Sequence, residues 1–187
     1  LHDWTIGTDG TFLANGAAHY ALQNFTNNGT FTAGTSILYL SGTSGNWTLG
    51  GTSETSFNNL QINKSNFADL ITLGNNITVA GTLTCTRGHL NTSTSDYSID
   101  AHHITQGTWG QFTFNDSNVT VSGNLTLVAS TTWNEGNSTF TFDGSADATV
   151  NLAGGDLYNM IIGKDAANDV VTLGNTIDVE NNLTVTT

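Results

Sequence analysis

Residues 76–86 read NITVAGTLTCT. Apolar and polar side chains alternate on both sides of Gly81, the period-2 signature of a half-buried strand. Alternation puts Ile77, Val79, Leu83 and Cys85 on an inner face. Asn76, Thr78, Ala80, Thr82, Thr84 and Thr86 then point outward. The stretch NVTVSGNLTLV at 118–128 repeats the pattern at an offset of 42, so Cys85 corresponds to Leu127. The lone cysteine therefore reads as one more core position rather than a reactive thiol.

A longer copy surrounds the first. Residues 57–86, FNNLQINKSNFADLITLGNNITVAGTLTCT, recur at 157–186 as LYNMIIGKDAANDVVTLGNTIDVENNLTVT, with 13 of 30 positions identical and no gap. The identities include Asn59/Asn159, Lys64/Lys164, Asp69/Asp169, Gly74/Gly174 and Asn75/Asn175. Upstream, 34–42 resembles 136–144. An offset of 42 fits two units of 21, and one of 100 fits five of 20. The reading is all-β: a parallel β-helix (β-solenoid) with coils of about 20 residues, stacked at about 4.8 Å. Tandem β-sandwich domains are the alternative, since about 100 residues is also a sandwich length. That scheme would have to repeat a motif inside one domain. The whole chain, 1–187, reads as one solenoid segment. It divides into poorly matching coils at 1–33, a repeat block at 34–86, an irregular insertion at 87–111, a partial repeat at 112–135 and a second block at 136–187. Gly74 and Gly174, each followed by Asn, are expected at corners with positive φ. Asn59 and Asn159 are expected to form a turn ladder between coils.

Composition fits such a coil. Thr (33), Asn (23), Gly (21) and Ser (14) dominate the 187 residues, and proline is absent. Proline could not donate to a coil-to-coil ladder. Three basic residues face fifteen acidic ones, for a net charge of −12. That charge opposes nucleic acid and anionic membranes, because phosphate binding needs clustered Lys and Arg. No apolar run approaches the roughly 20 residues of a membrane helix, so membrane insertion within this segment is not expected. The chain begins at Leu1 and stops in mid-pattern, which reads as a processed chain or part of a longer one. Few Lys and Glu, much Thr and Asn and one Cys suit an extracellular, cell-surface prokaryotic protein.

The pattern F-x-N-L-x-I-x-K followed by V-T-L-G-N-x-I-x-V-x-x-x-L-T-V-T resembles the repeats of secreted bacterial and archaeal β-solenoid surface proteins of adhesin and filament type. The resemblance is clear over 57–86 and 157–187, partial over 112–144 and faint before residue 30. It implies a parallel β-helix with a structural or adhesive role. The motif is a structural repeat and brings no catalytic residues.

Several constellations are candidates for chemistry. Eleven Asn-x-Ser/Thr sequons lie at Asn24, Asn28, Asn46, Asn63, Asn76, Asn91, Asn115, Asn118, Asn124, Asn137 and Asn182. Outward Asn and Thr on one strand create this spacing automatically, yet on a secreted rod they are also accessible glycosylation acceptors. Asp143 and Asp147 in FDGSAD, and Asp165 and Asp169 in KDAAND, are weak Ca²⁺ candidates without a calcium-loop spacing. No other metal or cofactor is expected. His102 and His103 are adjacent, so on a strand they should face opposite ways, while Asp100 and His102 should share a face. His2, His19 and His89 are scattered. Trp4, Trp47, Trp109 and Trp133 could line a sugar surface or fill corners.

No nucleophile elbow, zincin helix or phosphate loop is present, and no motif selects a carboxylate pair, so no enzyme activity is expected. The expected function is structural: an extracellular subunit or segment of a surface filament, sheath or stalk that self-associates. The alternative is an adhesin or glycan-binding module, with 87–111 as the candidate region. Lesser alternatives are a polysaccharide-active β-helix and ice binding through Thr82/Thr84/Thr86 and Thr184/Thr186.

Overall fold

The computed structural model describes residues 3–128, 133–166 and 168–186. Its strands are parallel and stack as a β-solenoid of about 8 turns, with coils of about 22 residues and no helix among the described residues. Each coil has three faces. The first coil shows them in turn: β1 (Trp4–Ile6), β2 (Thr11–Leu13) and β3 (Ala18–Ala21). The second repeats them as β4 (Phe25–Asn27), β5 (Thr30–Thr32) and β6 (Ile37–Leu40). The third does so as β7 (Trp47–Gly50), β8 (Thr55–Phe57) and β9 (Asn59–Asn63).

After β10 (Leu70–Gly74) on the first face, the corners tighten. β11 (Ile77–Asn91) and β12 (Ile99–Thr113) each run through the second, third and first faces without a break. Register shifts mark where they turn, between Val79 and Thr82 and between Cys85 and Arg87. The stack continues through β13 (Asn118–Val121), β14 (Leu125–Leu127), β15 (Trp133–Asn134), β16 (Thr139–Phe142) and β17 (Ala148–Leu152). It closes with β18 (Asp156–Ile162), β19 (Val171–Leu173) and β20 (Asp178–Val185). Residues 87–111, expected as an irregular insertion, thus lie inside the stack as parts of β11 and β12 and the loop between them.

Inward side chains form continuous columns. Leu38, Leu60, Leu83, Ile104, Leu125, Val150 and Leu173 succeed one another in register on the third face. Ile77, Ile99, Val119, Phe140, Met160 and Leu183 do so on the second. Cys85 is fully buried among them, and burial pushes its thiol up to about 12. Steric layering explains why like sits on like: each coil can bury its apolar edge only against the next.

The two repeats behave differently in this frame. The offset of 42 carries Ile77 to Val119 and Leu83 to Leu125, two coils along the same columns. The offset of 100 is not five coils. It carries Leu60 on the third face to Met160 on the second, and Leu73 on the first to Leu173 on the third. Coil length is not constant: the step that pairs Leu70 with His89 is shorter than the one that pairs Leu125 with Val150. The long offset therefore ends one face short of five coils. It is a repeat of faces, rotated by one.

Neither Gly74 nor Gly174 has positive φ. Gly74 stacks on Gly50, and the tight constraint falls on Gly50, where a Cβ would stand 2.7 Å from the Gly74 Cα; a Cβ on Gly74 would instead crowd Thr48 Cγ2, at 3.0 Å. Asn59 and Asn159 lie on different faces, so they do not share a ladder, though each bonds across a coil boundary.

Candidate functional site

At many corners, the residue just before a strand lends a side-chain oxygen to a backbone N–H of the next coil. Asn24 Oδ1 accepts from Thr48 N (2.8 Å), Asn46 from Leu70 N (3.1 Å), Asn76 from Ser98 N (2.9 Å) and Asn124 from Thr149 N (2.8 Å). Asp147 does the same for Val170 N (2.9 Å), and Asn59, at the start of β9, for Thr82 N (2.9 Å). These N–H groups lie at the edge of strand pairing, where an unfilled donor would cost stability. Much of the asparagine content is thereby structural.

The sequons divide on this basis. The Nδ2 groups of Asn24, Asn76, Asn115, Asn137 and Asn182 donate hydrogen bonds. Asn28, Asn46, Asn91 and Asn124 use only Oδ1. Asn63 and Asn118 are exposed, and neither side chain is engaged.

The repeated lysines are corner pieces. Lys64 is buried under the face of Trp47, and its Nζ donates to the Thr43 carbonyl at 3.4 Å. Burial pulls its ammonium down to about 8, against an opposing pull from Asp69. Asp69 is itself buried, with Oδ1 accepting from Gly45 N and Oδ2 unpartnered. Lys164 donates to the carbonyls of Asp143 and Ser122.

The calcium candidates are not gathered. Asp147 and Asp169 spend carboxylate oxygens on backbone N–H groups of Val170 and Ala166. Asp143 is half-buried, and burial, then Asp100 and Asp165, raise its carboxyl above the usual range. Among the described residues, no three His, Cys, Asp or Glu side chains are arranged to hold a metal ion.

His102 and His103 do not face opposite ways. They sit at the corner where β12 shifts register, and their rings lie 4.0 Å apart. His102 Nδ1 meets Ser122 Oγ at 2.9 Å, and His103 Nδ1 accepts from Asn124 N at 2.8 Å. Burial, then His102, lowers the His103 imidazole. His89 is lowered by burial and meets Thr113 Oγ1 at 2.8 Å. His19 packs edge-on against Trp4 and Phe12, while His2 lies outside the described residues.

The tryptophans separate clearly. Trp133 is buried, and Trp4 and Trp47 are half-buried, but Trp109 is 61% exposed. With Phe67, Thr108 and Gln111 it lines a cleft of about 160 Å³. In the sequence Trp109 is one of four tryptophans, and nothing in it points to Phe67. In the outward threonines, Thr84, Thr105 and Thr126 stack in register across three coils, preceded by Gln61. The neighbouring column from Thr82 passes to His103.

Both ends of the described stack leave core side chains uncovered. Leu173, Leu183 and Val185 are 49%, 60% and 65% exposed at one end. At the other, Trp4, Phe12, His19 and Tyr20 line an open cavity of about 550 Å³. Among the described residues no helix is long and apolar enough to cross a membrane. Comparisons with protein-family models, with curated proteins and with solved structures found no match to this chain.

Proposed function

We propose that this chain is a segment of an extracellular β-solenoid surface protein with a structural role, assembling end to end into a filament, sheath or stalk. The observation that supports this reading is the regular stack, in which inward residues from Leu38 to Leu173 succeed one another in register along a rod. Head-to-tail stacking of a second copy would extend the inner columns without closing. Sedimentation velocity over a concentration series tests it. Growth to large species supports the reading, and a monomer at the highest concentration refutes it. The prokaryotic surface location remains part of this proposal, supported by composition and by the resemblance of the repeats.

A second reading is favoured by the exposed Trp109 and Phe67. It makes the rod an adhesin-like module that binds glycans on an outer face. A binding assay against a panel of glycans separates the two.

A further inference from the structure

Away from the ends, the described structure exposes two large aromatic rings, Trp109 at 61% and Phe67 at 46%. They meet over a cleft that has room for one sugar ring rather than a drug-sized ligand. The face of a pyranose carries C–H bonds that suit the negative face of an indole. Thr108 and Gln111 supply the hydroxyl and amide that sugar hydroxyls need.

The neighbouring charge sharpens the ligand class. Arg87 stands in register with Trp109 one coil away, and with Asn63 on its other side, so the three form one outward column. Of the three basic side chains, Lys64 is buried and Lys164 is bonded to two carbonyls. Arg87 is exposed, and its side chain makes no hydrogen bond or ion pair with the described residues. In a chain of fifteen acidic residues, an unpaired guanidinium is unexpected. Its five donors form a planar fork that matches a carboxylate in two places. The net charge of −12 opposes an approaching anion at long range, but physiological salt screens that beyond about 8 Å.

We propose that the cleft between Phe67 and Trp109 binds a sugar ring bearing a carboxylate, a uronic acid residue of an acidic polysaccharide, with Arg87 holding the carboxylate. The ring stacks on Trp109, Phe67 closes the far side, and Thr108 and Gln111 orient the hydroxyls. This deepens the glycan-binding reading and rests on it.

Calorimetric titration of the whole chain with trigalacturonate, with a hyaluronan tetrasaccharide and with neutral cellotriose tests it. At least one acidic probe should bind more tightly than cellotriose. Trp109→Ala should weaken all binding by about tenfold or more, and Arg87→Gln should weaken only the acidic probe, by about tenfold. Both residues are on the surface, so both variants should melt with the wild type. If cellotriose binds as well as the acids and Arg87→Gln changes nothing, the glycan reading survives and the carboxylate assignment falls. If no probe binds up to roughly 10 mM, both fall.

Discussion

Gly136 lies directly over Asn115 in the next coil, and both backbones are left-handed, with φ of 58° and 50°. A Cβ on Gly136 would overlap the Asn115 carbonyl oxygen. Asn115 tolerates this conformation, and its amide ties the corner to Asn91 Oδ1, Thr92 Oγ1 and the Ser93 carbonyl. Gly136→Ala therefore combines backbone strain with a clash and should cost about 3 kcal/mol in denaturant unfolding. Gly154 also has positive φ (80°), but a Cβ there would meet nothing within 4 Å. Gly154→Ala should cost only about 1 kcal/mol, from the backbone alone.

Leu83 and Leu183 occupy the same place in the long repeat, but Leu83 is fully buried and Leu183 is 60% exposed. Leu83→Asp puts an unpaired charge in the column and should cost several kcal/mol, about 4 or more. Leu183→Asp should change stability by about 0.5 kcal/mol or less. On the assembly reading it should also block end-to-end growth. Circular dichroism melts check the first contrast and light scattering the second.

Stability should fall as pH drops below about 6.5. The folded state holds His89 and His103 at lowered pKa, so below the ordinary imidazole value the unfolded chain binds more protons. Protonation of His103 would also place a proton on the nitrogen that accepts from Asn124 N. At the alkaline end, Lys64 falls from 10.5 to about 8 in the folded state. Below pH 8 the folded state bears the full cost of the buried ammonium, so Lys64 favours folding increasingly from about 8 to 10.5; Cys85, held at about 12 in the folded state against 9.0 unfolded, opposes this above about 9, which places the net rise between about 8 and 9. Lys64→Met should abolish this alkaline rise in pH-dependent melts.

Sequon use should follow the hydrogen bonds. In a host that glycosylates Asn-x-Ser/Thr, glycopeptide mapping of folded protein should find Asn63 and Asn118 occupied. Asn24, Asn76, Asn115, Asn137 and Asn182 should be bare, since each already donates through the nitrogen that a glycan would take. Equal occupancy at the two groups would overturn the assignment.

How much of this was legible in the sequence depended on the range of the physics. The burial of Ile77, Val79, Leu83 and Cys85 follows from alternation, which is local, and the structure has all four inside. The offset of 42 identifies stacked columns because it happens to be two whole coils. The offset of 100 looks like a whole number of coils only if every coil has the same length. Corners vary in length, from the tight turns inside β11 to the loop at 64–69, and sequence similarity does not count faces. Gly74 departs from expectation for the same reason. A side chain there would crowd Thr48 Cγ2, one coil away, and its own φ is not positive. The pairing of the His102 and His103 rings comes from a register shift that strict alternation does not contain. The cleft needs Phe67 and Trp109 together, and only stacking brings a loop and a distant strand to one patch.

The rotated repeat changes what a unit of growth means for this rod. Because a recurring stretch serves the third face at Leu60 and the second at Met160, one face is interchangeable with another. A copied block need not span whole turns to be accommodated: it needs only to end on a corner. Each such copy would also swing its outward groups about a third of the way around the axis. Surface chemistry would then wind along the rod as a spiral, presenting the same motif to several directions from a single chain.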